Sequence, residues 1–149
     1  MSYLEIIADT SKGDNPRAHW PLELQNEFEE YFYNGVVGSV LVSETEALRV
    51  WHLHLAPGKR CNFHRHVLNY FWSCHSSGKA RGYYDDGRIQ EVNHFPGDTK
   101  HFTFDKGEGF NHSIMNVGNT NLLFTTVEFK NSPNDPLDIP ESIKLRSKV

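Results

Sequence analysis

Before Gly35 one stretch repeats apolar residues at a helical spacing. From 22 to 32, Leu22, Leu24, Phe28 and Phe32 interleave with Glu23, Glu27, Glu29 and Glu30. This predicts a short helix stopped by Asn34-Gly35. Residues 1 to about 20 mix Gly13, Asn15 and Pro16 with charge and are expected to form an irregular arm. After Gly35 the period shortens. β-prone runs follow one another at 36–42, 48–55, 70–74, 80–84, 89–95, 99–104, 112–117 and 122–129. Turn signals separate them, among them Pro57-Gly58, Asp85-Asp86-Gly87, Pro96-Gly97-Asp98 and Gly118-Asn119. Short strands so punctuated argue for an all-β sandwich or barrel, with a hairpin at Asp86-Gly87. Pro133, Pro136 and Pro140 predict an extended tail over the surface. The expected organisation is one domain: an arm and helix over 1–35, a barrel over 36–130 and a tail over 131–149.

The same alternation sorts the histidines, of which there are nine. Residues two apart on a strand share a face, so His64 and His66 point the same way. His112, on a distant strand, can close on them from across a barrel. Three neutral imidazoles converging in this way make a transition-metal site with open positions. His52 and His54 oppose Leu53 and Leu55, which places them toward solvent or a subunit partner. His101 alternates with Thr99 and Thr103 against Phe102 and Phe104, and is a candidate acid–base group at the pocket. His19, His75 and His94 follow no pattern and are expected at the surface. Glu108, between Gly107 and Gly109, and Glu128, on the last strand, are candidate inward carboxylates able to add a fourth ligand or a base. Tyr70, Trp72, Tyr83, Phe95, Phe102, Phe104 and Phe110 are candidate walls of an apolar pocket or plain core.

Composition narrows the class. With 149 residues, 38% hydrophobic and 23% charged, the chain suits a soluble globular domain with a single core. A net charge of -4 leaves no basic footprint for nucleic acid. No apolar run reaches membrane-spanning length, and the N-terminus shows no secretory signal, so a cytoplasmic protein is expected. Cys61 and Cys74 make no disulfide framework and are expected as reduced thiols, burial being their usual fate; Cys61 lies close enough to the histidine run for a ligand role to stay open. Glycine-rich phosphate loops, nucleophile elbows, Cys-x-x-Cys and His-Glu-x-x-His are absent.

Gly58, His64 and His66, with Pro57 before them and Gly78 after, resemble the first motif of the cupin family of double-sheet jelly rolls. The motif's glutamate is missing; its place falls on Tyr70 or Phe71. His112 and Asn116 are similar to the end of the family's second motif, and Gly97-Asp98 to its start. The spacing between them is stretched, with the extra length in the loop 105–111. The resemblance covers roughly 36–130. It implies a double-stranded β-helix and a divalent transition metal, Fe(II) first and Ni, Mn or Zn as alternatives, on His64, His66 and His112. It carries over no glutamate ligand. Tyr70 is then expected beside an open coordination position, hydrogen-bonding a bound water. The implied activity is that of a metal-dependent enzyme on a small oxygen-bearing substrate such as a diketone, keto acid or enol, with dioxygenation among the outcomes. The alternative is a small-molecule-binding or sensing cupin without catalysis. A homodimer is implied in either case.

Overall fold

The period-two pattern is realised in two antiparallel five-stranded sheets facing each other. The computed structural model describes residues 3–8 and 15–145. The first sheet runs β1 (Tyr3–Ala8), β7 (Ile89–His94), β6 (Gly78–Tyr84), β9 (Phe110–Asn116) and β4 (His64–His66). The second runs β2 (Val40–Glu44), β3 (Leu48–Leu55), β10 (Leu122–Phe129), β5 (Tyr70–Cys74) and β8 (Thr99–Phe102). Apart from the hairpins β2–β3 and β6–β7, consecutive strands cross between the two sheets, as in a jelly roll.

Alternate residues turn inward. On β10 these are Leu122, Phe124, Thr126 and Glu128, all buried, and on β3 they are Arg49, Trp51, Leu53 and Leu55. One end of the barrel is filled by Leu53, Leu55, Cys74, Ala80, Leu122 and Phe124. That packing leaves the other end free for polar side chains.

The helix α1 (Leu22–Glu30) is two residues shorter than the sequence suggests. The Tyr31 N–H closes on the Glu27 carbonyl and residues 31–33 form a turn. α1 lays Phe28 against Trp20, Phe63 and Tyr83 on the outer face of the first sheet, with Trp20 stacked on Phe63 at 5.3 Å. Glu27 ties this layer to the functional end. Its carboxylate accepts two bonds from Arg60, at 2.6 and 2.8 Å, and one from the Phe63 N–H at 3.1 Å. Arg60 in turn donates to Ser113 Oγ on β9 at 2.7 Å. The loop entering His64 is thereby clamped from both sides.

The expected irregular arm contains a strand instead. β1 lies antiparallel to β7 with a bulge between Ile6 and Ala8. Its partner, rather than any alternation of its own, defines it. The first expected β run begins at Val40 rather than 36, because Val37 turns in to pack with Leu41 and Trp51. The tail runs extended beside β2. Arg49 donates to the Leu137 carbonyl at 2.9 Å, and the Leu145 N–H to the Leu41 carbonyl at 2.8 Å. Residues 1, 2, 9–14 and 146–149 of the expected arm and tail lie outside the described residues. No described helix is long and apolar enough to cross a membrane.

Candidate metal centre

The centre is built on one short ladder. β4 pairs with β9 so that His64 stands opposite His112 and His66 opposite Phe110. Alternation turns His64 and His66 into the barrel and Arg65 outward, where it donates to Asn111 Oδ1 at 2.7 Å. Asn111 is wholly buried and donates to the Phe32 carbonyl at 2.7 Å, fixing β9 from behind.

His64, His66 and His112 are all buried, and one ring nitrogen from each lies within 4.8 Å of the others. His66 Nε2 and His112 Nε2 are 3.1 Å apart. Two nitrogens bound to one ion at about 2.1 Å would stand about 3.0–3.4 Å apart, so the pair fits a shared ion. His64 Nδ1 donates to the Asn62 carbonyl at 2.9 Å, leaving its lone pair on Nε2. Burial drives the His64 imidazole down to about 4. Burial lowers His66 and His112 as well, and repulsion from the neighbouring imidazoles adds to it. All three are therefore neutral near pH 7, the form that binds a metal. His66 Nδ1, His112 Nδ1 and the Tyr70 hydroxyl are buried without a hydrogen-bond partner. The donor set of three imidazoles suits Fe, Ni or Zn. Stacking orients the second ligand: the His66 ring lies on Tyr70 at 4.0 Å and on Phe110 at 5.2 Å, and Tyr70 continues onto Phe102 at 4.5 Å.

A cavity of about 610 Å³ opens beside the three histidines. Tyr70, Tyr84, Phe102, Phe104 and Phe110 wall it near the triad, and Trp72, His94 and Phe124 farther in. Tyr70 is 2% exposed and inward on β5. His101 does not reach the cavity: Phe102 and Phe104 take the inward positions, and His101 lies exposed on the outer face, 5.1 Å from the Phe71 ring. Glu108 is also exposed, its carboxylate accepting the Asp105 N–H at 2.6 Å and closing its own loop. Glu128 is inward and buried, yet stands apart from the triad. It lies opposite Tyr70 across the β10–β5 ladder and accepts the Trp51 Nε1–H at 2.8 Å. Desolvation raises its carboxyl to about 7.

His52 and His54 stack on each other at 5.9 Å on the outer face of β3. Desolvation lifts the Cys61 thiol to about 11, and its sulfur accepts the Ile114 N–H at 3.4 Å; it is no ligand of the triad. Tyr83 packs under α1, and neither it nor Phe95 lines the cavity. Among the cavity residues that the sequence reading did not single out are Tyr84, Gln90 and His94. His94 was expected at the surface but is buried against Asp98, because β7 turns it inward with Gln90 and Val92. Strand parity about the Asp86-Gly87 hairpin was the signal that marks all three.

The fold has solved counterparts. A cupin domain from Bordetella pertussis Tohama I superposes with a TM-score of 0.51, at 22% identity, over 59% of this chain and 86% of that one. A conserved protein with a double-stranded β-helix domain from Klebsiella pneumoniae subsp. pneumoniae MGH 78578 superposes with a TM-score of 0.50, at 24% identity, over 67% of this chain and 82% of that one. The chain has the cupin fold. A sugar phosphate isomerase of the cupin superfamily from Silicibacter pomeroyi DSS-3 is a looser match, with a TM-score of 0.43, 21% identity and 56% of this chain aligned to 51% of that chain. No protein-family model and no curated protein matches the sequence. The first two superpositions show the cupin architecture alone and leave the reaction to the residues of the site.

Proposed function

We propose that this cupin is a metal-dependent enzyme acting on a small oxygen-bearing organic molecule such as a diketone, keto acid or enol, with dioxygenation the first reaction class to test. The observation that carries the reading is the convergence of three buried, neutral imidazoles at the edge of a cavity large enough for such a substrate. His64, His66 and His112 would hold the ion, Fe(II) first and Ni, Mn or Zn as alternatives. A bound divalent ion supplies a Lewis acid and a template for the substrate's oxygens. The chain's own residues do the rest. The Tyr70 hydroxyl, unpartnered and buried, is free to bond a substrate oxygen. Phe102, Phe104 and Phe110 exclude water and restrict the orientation of the bound molecule.

The test is metal content by mass spectrometry on protein purified without a histidine tag, followed by anaerobic Fe(II) reconstitution and a screen of keto acids and diketones. Near one ion per chain, lost in His64→Ala and in His112→Ala, is expected. A loaded protein that turns over nothing across the screen overturns the enzymatic reading. A protein that takes no ion even after reconstitution favours the second reading, a cupin that binds a small molecule without chemistry. That reading draws its support from the lack of any carboxylate grouped with the triad among the described residues.

A further inference from the structure

The cavity has a second polar pole. β7 ends at His94, and the chain returns through Phe95-Pro96-Gly97, with Gly97 at φ 92°, to bring Asp98 against the imidazole. His94 Nδ1 donates to Asp98 Oδ2 at 2.8 Å, and the two side chains are 7% and 11% exposed. Trp72, at 5.2 Å, and Phe124, at 5.0 Å, meet the ring edge-on and hold it. With Nδ1 committed to the carboxylate, the lone pair sits on Nε2, which has no hydrogen-bond partner among the described residues.

The surrounding walls, Val92, Leu53 and Phe124, are apolar. The Thr99 hydroxyl donates to the Gly97 carbonyl at 2.9 Å, and the Lys100 ammonium lies over the Phe102 ring at 5.1 Å. Nε2 is therefore an acceptor left open toward the cavity, able to take a donor that enters it. Burial pulls the imidazole below its ordinary value despite Asp98, so it is neutral near pH 7. The dyad shares its cavity with the triad. Trp72, which touches His94, is the next inward residue after Tyr70, about 6.6 Å along β5 at 3.3 Å per residue, and Tyr70 stacks on His66.

We propose that His94 and Asp98 form a second binding subsite, one that takes a hydroxyl on an apolar body, the hydroxyl donating to His94 Nε2. Asp98 is a positioning residue, holding the ring in the tautomer that accepts. Joined to the proposed function, on which this extension rests, the subsite makes the substrate two-headed: an oxygen-bearing head at the triad and an alcohol or phenol at the dyad. The competing role is a bond that only closes the β7–β8 turn, in which case Nε2 meets no ligand.

Long-range proton–nitrogen NMR of the histidine side chains separates the two in the full-length protein. The probes are phenol and anisole, the latter being the same ring without the O–H. His94 is expected to carry its proton on Nδ1, and phenol is expected to shift Nε2 saturably, with anisole about tenfold weaker or silent. A proton on Nε2, equal responses to the two probes, or no response to phenol overturns the subsite. The experiment is repeated in His64→Ala, where the same phenol response is expected because the dyad uses no ion. Absence of metal in the first experiment thus counts against the proposed function alone, and absence of a phenol response against the subsite alone.

Discussion

Glu128 lies inside the barrel with its carboxylate on the Trp51 indole N–H and with Arg49 across the ladder on β3. Burial raises its carboxyl from the ordinary 4.5 to about 7. At about 1.4 kcal/mol for each tenfold change in proton affinity, ionising it in the folded state costs about 3 kcal/mol. Between these two values the native protein keeps a proton that the unfolded chain has already released. Its contribution to stability is therefore full below pH 4.5 and is lost as the pH rises to about 7. Glu128→Gln keeps an acceptor for Trp51 and cannot ionise. Urea unfolding of both proteins across this range is expected to show the variant gaining on the parent as the pH rises, by up to about 3 kcal/mol above pH 7. Taking the difference between the two proteins cancels every other group that titrates alike in both. A difference that stays constant with pH, or that grows toward acid, refutes a protonated Glu128.

Gly82 leaves room for Tyr84, since a Cβ there would stand 2.6 Å from Tyr84 Cε2 and 2.9 Å from its hydroxyl. Gly82→Ala should cost about 1–3 kcal/mol, partly recovered by adding Tyr84→Ala; thermal unfolding showing a neutral Gly82→Ala would be the contrary result. Tyr70→Phe removes a buried unpartnered hydroxyl, so stability should hold or rise by about 1 kcal/mol. Once a substrate is in hand, the same variant should lower turnover at unchanged metal content, and undiminished turnover removes Tyr70 from the chemistry. Cys61, lifted to about 11, and the buried Cys74, raised above its ordinary value, should both resist Ellman's reagent at pH 8 in the native protein and react in urea; rapid native labelling would contradict the raised thiols.

Strand alternation is local, and what depends on it alone could be read from the chain. His64 and His66 share a face for that reason, and apolar Leu53 and Leu55 identify the outer face on which His52 and His54 lie. The same rule, applied as strictly to Phe102 and Phe104, puts His101 outside. What alternation cannot carry is cover supplied by another element. On β7 the outward Glu91 is buried beneath Lys79 and Arg81, Ile89 packs toward the α1 layer, and the inward positions include polar Gln90 and His94. Polar and apolar residues are mixed on both faces, so the pattern vanishes where His94 sits. β1 fails for a related reason: it is an edge strand whose place depends on β7. His112 needed a ladder partner 48 positions away, and only the motif resemblance pointed to it before the β4–β9 register did.

β4 is three residues long and forms the edge of its sheet, its outer side held by the Arg65 N–H on the Asn34 carbonyl at 2.8 Å. Sheet edges of this size are where ladders fray first. Two of the three candidate ligands sit on this edge and the third on its neighbour, 46 residues along the chain from His66. An ion at the triad would therefore act as a covalent staple does, closing a long loop whose ends the unfolded chain leaves free. The chemistry of the site and the integrity of one sheet edge would then rise and fall together: a cell short of the metal would hold a protein that had lost its reactive centre and, by the same stroke, exposed an edge to unzipping, backbone exchange and proteolysis.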